Sequence, residues 1–308
     1  MSIFIALLQQ MIPLYGLIIV GYLSGKCLEV KKDNIATLLL YIFGPVVGFN
    51  SILTSQITFS LLSLPFLGYL FCTIVALITL LAGTLIWKDD TKNMLSVGIA
   101  NGNFGFLGLP LTLVLFGQKY FALTALFGVG AAVFIATLGM FIAARANYSL
   151  RASVLKVVKM PLVYALLLGL LLNLLKIPIN SAIMQVLNNV NGAYSVLGLM
   201  LVGIALHELG KIKIDAVFTV FTTIMTYILW PLLALGFIFL DKSTLRLYTP
   251  DIYKIVLLMS ILPVGASIVA ISTELKVQPE KASFAVLFTT LLSLLYIPAF
   301  ISVFMGTS

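Results

Sequence analysis

Uncharged apolar runs of about 20 residues recur along the whole chain, and they constrain its fold more than any other feature, because a helix of that length crosses the hydrocarbon core of a bilayer. Of the 308 residues 61% are hydrophobic and only 9% are charged. A soluble domain, in contrast, is about one quarter charged. The strands of a membrane barrel would alternate within segments of about ten residues, which these runs do not. The sequence therefore predicts an all-α integral membrane protein embedded in a lipid bilayer.

The charge-poor runs predict ten transmembrane helices. These helices lie at 3–24, 34–54, 64–87, 94–116, 120–144, 160–175, 183–206, 214–240, 252–274 and 282–304. Of the 18 Lys and Arg residues, thirteen fall in the loops of one side and five in the loops of the other. The positive-inside rule assigns the thirteen to the cytoplasm and both termini to the outside. We expect a multi-pass protein of the plasma (cytoplasmic) membrane, whose net charge of +8 reflects topology rather than nucleic-acid binding.

An internal repeat divides the chain into two halves. A shift of 148 residues places Pro13, Gly21 and Gly44 on Pro161, Gly169 and Gly192, and a shift of 160 places Gly105 on Gly265. Proline and glycine matches are informative because these residues fix backbone geometry. With five helices in each half, the second copy enters the membrane from the opposite side, which predicts an inverted repeat. The halves are residues 1–146 and 159–308, joined by a cytoplasmic connection at 147–158.

The least helix-like stretch inside a predicted span is residues 101–110, with the sequence NGNFGFLGLP. Its glycines, asparagines and proline would free backbone groups that lipid cannot satisfy, so the stretch must pack in protein or line a wet cavity. The corresponding stretch of the second half is 263–267, PVGAS. Paired interruptions at matching positions of two halves indicate the binding site of a transporter.

A helix that restarts after such a break presents free N–H groups and a positive dipole end, which suit an anion without any buried Lys or Arg. Asn50, which follows a glycine- and proline-containing stretch of the second span, is another polar interruption. Close packing of helices through small residues, or hydrogen bonds between helices, is the alternative interpretation of these positions. The predicted substrate-binding residues are Asn50, Asn101, Asn103, Gly105, Gly108, Pro110, Pro263, Gly265 and Ser267.

The acidic residues all fall near predicted helix ends or in loops, so no carboxylate pair marks a cation site at the membrane centre. The absence of a nucleophile with its base and orienting group argues against an enzyme. His207 and Glu208, at the cytoplasmic end of the seventh span, are candidates for coupling transport to proton movement, or a solvated helix end whose cation complements the helix dipole. We expect no metal and no cofactor, and the coupling ion, a proton or sodium, stays open.

The stretch from Asn103 to Leu111, followed by Phe116-Gly117, resembles the fourth-helix signature of the auxin efflux carrier family. Residues 263–270, then Ala282-Ser283 and residues 289–293, are similar to the ninth and tenth helices of that family. Where many relatives have an Asn in the ninth-helix motif, this chain has Ser267. The middle connection is short, unlike the long cytoplasmic loop of many plant members, which fits a bacterial protein.

The resemblance implies a fold related to the bile-acid symporters and sodium/proton antiporters. Helices 1, 2, 6 and 7 would form a scaffold, and helices 3–5 and 8–10 a mobile transport domain in which the broken fourth and ninth helices cross. Family members move organic anions such as auxin, malate or malonate, and the plant members form dimers, which makes a homodimer an implied option. The expected function is secondary active transport of small organic anions by elevator-type alternating access. A cation/proton antiporter of the same general fold is the alternative.

Overall fold

The computed structural model describes residues 3–144, 161–209, 213–265, 268–269, 272 and 277–304. Over these residues the chain is helical, and its only extended pairing is one isolated antiparallel bridge. Apart from a four-residue helix at Phe59–Leu62, the described helices are α1 Ile3–Leu28, α2 Lys32–Leu53, α3 Leu64–Thr84, α4 Thr91–Ala100, α5 Phe104–Phe116, α6 Gln118–Ala143, α7 Pro161–Leu174, α8 Ser181–His207, α9 Ala216–Leu245, α10 Pro250–Ser260 and α11 Pro279–Phe304. The predicted all-α membrane architecture is confirmed in this coarse form.

Six of these helices, α2, α3, α6, α8, α9 and α11, are long and apolar enough to cross a membrane. Shorter apolar helices occupy Ile12–Leu28, Phe104–Phe116 and Tyr164–Leu174. The predicted fourth span, 94–116, consists of two helices, α4 and α5, with a break between them. The inverted repeat of ten spans, including the division at 147–158, stays a prediction.

Helix α3 shows why these segments belong in a bilayer. One face is buried against other helices, with Leu64, Leu67, Phe71 and Val75 at most 4% exposed. The opposite face is also apolar, although it is exposed. Its exposed residues, at helical spacing, are Phe66, Leu70, Ile74, Leu77 and Leu81. A helix that is hydrophobic on every side cannot face water, so this outer stripe is suited to lipid.

Several pairs of helices approach each other closely through glycine, and two of these pairs bear on the proposed repeat. Helix α8 packs on α1, where a methyl group added at Gly21 would overlap the Met200 carbonyl. Helix α7 packs on α2, where a methyl group added at Gly169 would lie 2.8 Å from the Phe49 carbonyl oxygen. Small residues allow such approach of backbones in membrane helices. Gly21 and Gly169 are the residues that the proposed repeat places at equivalent positions.

The remaining helices form a second set of contacts. Helix α3 packs on α4 and α6, α5 on α6, and α9 on α10 and α11. The two sets meet where α8 contacts α5, α2 contacts α6, and α1 contacts α11. The Tyr15 hydroxyl of α1 donates a hydrogen bond to the Leu294 carbonyl of α11 at this boundary.

Widened π-helical turns precede three of the prolines inside helices. The turns Leu39–Phe43, Phe104–Gly108 and Met225–Leu229 come directly before Gly44-Pro45, Leu109-Pro110 and Trp230-Pro231. Proline lacks an N–H and its ring crowds the carbonyl four residues earlier, and a wider turn relieves that contact. In α9 the carbonyl freed by Pro231 belongs to Tyr227, and it accepts a hydrogen bond of 2.6 Å from the Tyr296 hydroxyl. The backbone is therefore satisfied within the protein.

Candidate functional site

The break between α4 and α5 is a tight turn centred on Asn103. Helix α4 ends at Ala100, and Asn103 has φ −74° and ψ 54°, outside the helical region. The Phe104 N–H donates to the Gly102 carbonyl at 2.7 Å. This geometry is an inverse γ-turn. The Asn103 carbonyl then accepts the first hydrogen bonds of α5, from the N–H groups of Leu107 and Gly108, so Asn103 both ends the turn and starts the next helix.

The second predicted interruption meets this turn directly. The Asn103 N–H donates to the Pro263 carbonyl at 2.9 Å, and Gly102 and Val264 form the isolated antiparallel bridge. Residues 263–265 follow α10 without helical structure, and Pro263 and Gly265 are buried. The structure thus brings together two stretches that are 160 residues apart in the sequence. We call this junction the crossing, defined by residues 101–105 and 263–265.

The Asn103 side chain, 8% exposed, borders a small cavity between α5, α8 and α11. The water-accessible volume of the cavity is about 20 Å³, which is room for about one water molecule. Its other lining residues are Phe106, Leu201, Val202, Ala205, Leu206, Val286 and Thr290. The Asn103 amide and the Thr290 hydroxyl therefore supply the polar side chains of an otherwise apolar chamber.

Gly105 lies at the exposed start of α5, where the first backbone N–H groups of a helix have no carbonyl partner within it. The Tyr194 hydroxyl of α8 lies 3.5 Å from the Gly105 carbonyl oxygen. A methyl group added at Gly105 would meet no atom of the described residues within 4 Å. The space beside this position is therefore open in the described part of the chain.

Gly108 and Pro110 shape the crossing through packing. A methyl group added at Gly108 would lie 2.7 Å from the Leu262 side chain, next to the second interruption. Pro110 packs on α8 at Gly198, where an added methyl group would overlap the proline ring. Both residues are buried. They set how closely α5 approaches its neighbours rather than presenting polar groups.

Trp230 of α9 was not among the residues predicted for the site. Its indole Nε1–H donates a 3.0 Å hydrogen bond to the Ile99 carbonyl, in the last turn of α4. Its ring stacks on Phe71 with an interplanar angle of 3°, and it meets Phe104 edge-on. Because the break leaves the last carbonyls of α4 without helical partners, this bond holds the broken end in place. In the sequence, the Trp230-Pro231 pair inside an apolar span is the signal that could have indicated this position.

The other predicted binding residues lie in different surroundings. Asn50 of α2 is fully buried, and its Nδ2 donates to Asn188 Oδ1 of α8 at 3.0 Å. Asn101 is half-buried at the end of α4. Ser267 lies outside the described residues. Their contact with a substrate stays a prediction.

His207 and Glu208 lie at the C-terminal end of α8, nine residues beyond Gly198 and so about 14 Å along the helix. The His207 ring packs edge-on against Tyr22 of α1. Glu208 Oε1 accepts a 2.8 Å hydrogen bond from the Lys32 backbone N–H, at the start of α2. A carboxylate at a helix N-terminus stabilises that helix. Glu208 thus has a structural role here, and coupling stays a prediction.

No group of three or more His, Cys, Asp or Glu side chains among the described residues could hold a metal ion. Acidic side chains instead join helix ends. Asp215, directly before α9, pairs with Lys281 of α11 at 2.6 Å and accepts a 3.0 Å hydrogen bond from the Phe218 N–H. The bond from Lys281, together with that from Phe218, holds the pKa of the Asp215 carboxyl below its usual value.

Comparison with known proteins identifies the family of the chain. The family described as membrane transport protein matches residues 6–153 and 145–301 of the chain. An uncharacterized transporter of Methanocaldococcus jannaschii is 28% identical over 228 residues, which cover 70% of this chain and 73% of that protein. These matches confirm the resemblance to auxin efflux carriers.

Proposed function

We propose that this chain, which belongs to the membrane transport protein family of auxin efflux carrier-like proteins, carries small organic anions across the membrane by alternating access. That it is a multi-pass membrane transporter follows from the family and from the apolar helices. The substrate class, the movement and the coupling are the proposal.

The observation that carries the proposal is the contact between the two broken segments, the Asn103 N–H to the Pro263 carbonyl. Transporters built from inverted repeats bind substrate where discontinuous helices of the two halves meet. The equivalent glycine contacts of α1 with α8 and of α7 with α2 support the repeat, because exchanging the halves exchanges these two helix pairs. The crossing is therefore the proposed substrate site.

The chemistry at the crossing suits a carboxylate. The Asn103 amide can donate hydrogen bonds, and the first N–H groups of α5, at Gly105 and Phe106, add donors and a positive dipole end. The surrounding Leu, Val and Phe side chains provide a low-dielectric wall that strengthens these bonds. In the proposed site Gly108, Pro110, Pro263 and Gly265 set the backbone geometry, and Ser267 adds a hydroxyl.

The small size of the cavity supports a site that opens by movement of helices. A volume of about 20 Å³ is far below the 300–1,000 Å³ or so of typical small-molecule pockets. Binding of an organic acid therefore requires α8 to separate from α5 and α11. The boundary between the two sets of helices is where that separation occurs in the proposed elevator mechanism, with α1, α2, α7 and α8 as the scaffold.

The first test is thermal stabilisation of the purified protein by malate, malonate, succinate and indole-3-acetate, with sodium and pH varied in parallel. A ligand that binds only the folded state raises the melting temperature by mass action. We expect at least one organic acid to stabilise the wild-type protein and Asn103→Ala to remove the effect, while Asn189→Ala, at an exposed position of α8, keeps it. Stabilisation by sodium or pH alone would replace this proposal with the cation/proton antiporter.

A further inference from the structure

Two pairs of side-chain amides lie one after the other along α8, and the second pair is nearer to the crossing. Asn188 Oδ1 accepts from Asn50 Nδ2 of α2 at 3.0 Å, and Asn191 Nδ2 donates to Gln118 Oε1 of α6 at 3.0 Å. We call these four residues the amide ladder. One turn further along α8, the Tyr194 hydroxyl lies 3.5 Å from the Gly105 carbonyl oxygen, at the crossing itself. The ladder thus leads along α8 to the proposed substrate site.

The register of the three helices makes the ladder contiguous. Helix α6 runs parallel to α8, because Gln118 pairs with Asn191 and the Phe121 ring meets the Tyr194 ring three residues later, with 5.5 Å between centroids. Helix α2 runs antiparallel to α8, because Asn50 pairs with Asn188 while Gly44 lies beside Tyr194. Positions three residues apart are neighbours on a helix surface, separated by about 4.5 Å of rise.

The ladder leaves hydrogen-bonding groups unused. Asn50 Oδ1, Asn191 Oδ1 and Gln118 Nε2 are buried without a hydrogen-bond partner in the part of the chain that the structure describes. Asn50 is 0% exposed. Exchanging the amide oxygen and nitrogen atoms would not remove the deficit, since one bond between two amides always leaves a donor on one side and an acceptor on the other. Buried groups of this kind are normally paired.

Charge is not the basis of recognition at the ladder. Lys119 follows Gln118 directly, but its Nζ is paired with Asp251 Oδ2 at 2.5 Å. Asn188, at the end of the ladder away from the crossing, is exposed. A polar solute would approach from that side, and the buried amide groups become accessible when α6 separates from α8 in the proposed mechanism. A ligand there meets amide donors and amide acceptors together, and it needs both kinds of group to satisfy them.

We propose that the amide ladder is a second binding position for the substrate, between the surface and the crossing, and that it selects organic acids carrying a hydroxyl. This inference rests on the proposed function. The carboxylate accepts from Gln118 Nε2, and the hydroxyl donates to Asn191 Oδ1, which belongs to the amide paired with Gln118. An acid of the same skeleton without the hydroxyl leaves an amide oxygen unsatisfied, so it binds less well.

L-malate and succinate test this selection, because they differ by one hydroxyl. Their dissociation constants are measured from the concentration dependence of thermal stabilisation. We expect the wild-type protein to prefer malate by about threefold to tenfold, the worth of one net hydrogen bond. Asn191→Leu should abolish the preference. Gln118→Met, which retains length and bulk, should weaken the binding of malate and succinate alike, because Gln118 Nε2 binds the carboxylate that both acids carry. The matched control is Asn189→Leu, which changes an exposed asparagine of α8 outside the ladder.

This experiment distinguishes a failure of the ladder proposal from a failure of the proposed site at the crossing. If Asn191→Leu lowers the melting temperature but keeps the malate preference, or if Gln118→Met leaves the affinities for both acids unchanged, the ladder is only a helix-packing contact and the inference is wrong, while the crossing stands. If wild type shows no malate preference although organic acids stabilise it, the inference is also wrong. If no organic acid stabilises wild type, the proposed function fails and the ladder proposal with it.

Discussion

Gly198 of α8 provides a sharp test of the contact between α8 and the crossing. It faces Pro110 of α5, and an alanine methyl group would lie 3.2 Å from Pro110 Cβ and closer still to Cγ. The proline ring is fixed to the backbone and cannot rotate away. Gly198→Ala therefore forces α8 and α5 apart. Because Pro110 lies seven residues after Asn103, the displacement acts on the proposed site.

The magnitude follows from a comparison with Gly192 on the same helix. Overpacking a close contact costs about 1–3 kcal/mol, whereas replacing glycine by alanine in a helix contributes up to about 1 kcal/mol of stability. A methyl group at Gly192 would meet none of the atoms in the described part of the chain within 4 Å. Gly192→Ala should therefore only gain stability, because alanine favours the helix more than glycine does. The two variants should differ by about 1–3 kcal/mol, with Gly198→Ala the less stable.

Thermal unfolding of the two purified variants measures the change in stability. Uptake of an organic acid into proteoliposomes measures the effect on the proposed site. We expect Gly192→Ala to match or exceed the wild-type melting temperature and to transport normally. Gly198→Ala should melt lower and transport more slowly. Equal melting temperatures and equal uptake rates for the two variants would refute the close approach of α8 to Pro110.

Trp230→Phe removes the indole N–H that donates to the Ile99 carbonyl. Leaving this buried carbonyl unpaired should cost about 1–3 kcal/mol in thermal unfolding and weaken organic-acid binding. Unchanged stability would show that the bond is dispensable. Lys281→Gln should lower stability by about 0.5–1 kcal/mol near neutral pH. This difference should vanish as acid protonates Asp215 below about pH 4, because the pKa of this carboxyl is lowered in the folded state. A difference that persists in acid would contradict the ion pair. Gly203→Val should prevent α8 from packing on α1 and abolish recovery of folded protein, measured by gel filtration.

Features of the site that are local in sequence could be predicted. The cluster of Gly, Asn and Pro at 101–110 predicts a break within a span, and the structure has one between Ala100 and Phe104. The repeat predicts the matching interruption at 263–267, and the structure places its first residue, Pro263, against Asn103. Both depend on residues whose backbone preferences act within a few positions.

Contacts between distant helices could not be predicted in the same way. The bond from Trp230 to Ile99 spans 131 residues, and that from Asn191 to Gln118 spans 73. Apolar spans carry a similar composition on all faces, so the sequence does not indicate which face meets which neighbour. Glu208 illustrates the same point, because its carboxylate accepts from the start of α2, whereas the sequence predicts either a coupling residue or a solvated helix end.

The central claim is that the Asn103 side chain binds an organic acid at the crossing. Uptake of radiolabelled malate, malonate, succinate and indole-3-acetate into proteoliposomes tests it most directly, with wild-type protein, Asn103→Ala and the surface control Asn189→Ala reconstituted at equal density. We predict saturable uptake of at least one acid by wild type and Asn189→Ala, and loss of at least about tenfold in Asn103→Ala, consistent with hydrogen bonds to a charged group worth about 1.5–3 kcal/mol. Undiminished uptake by folded Asn103→Ala would contradict the claim.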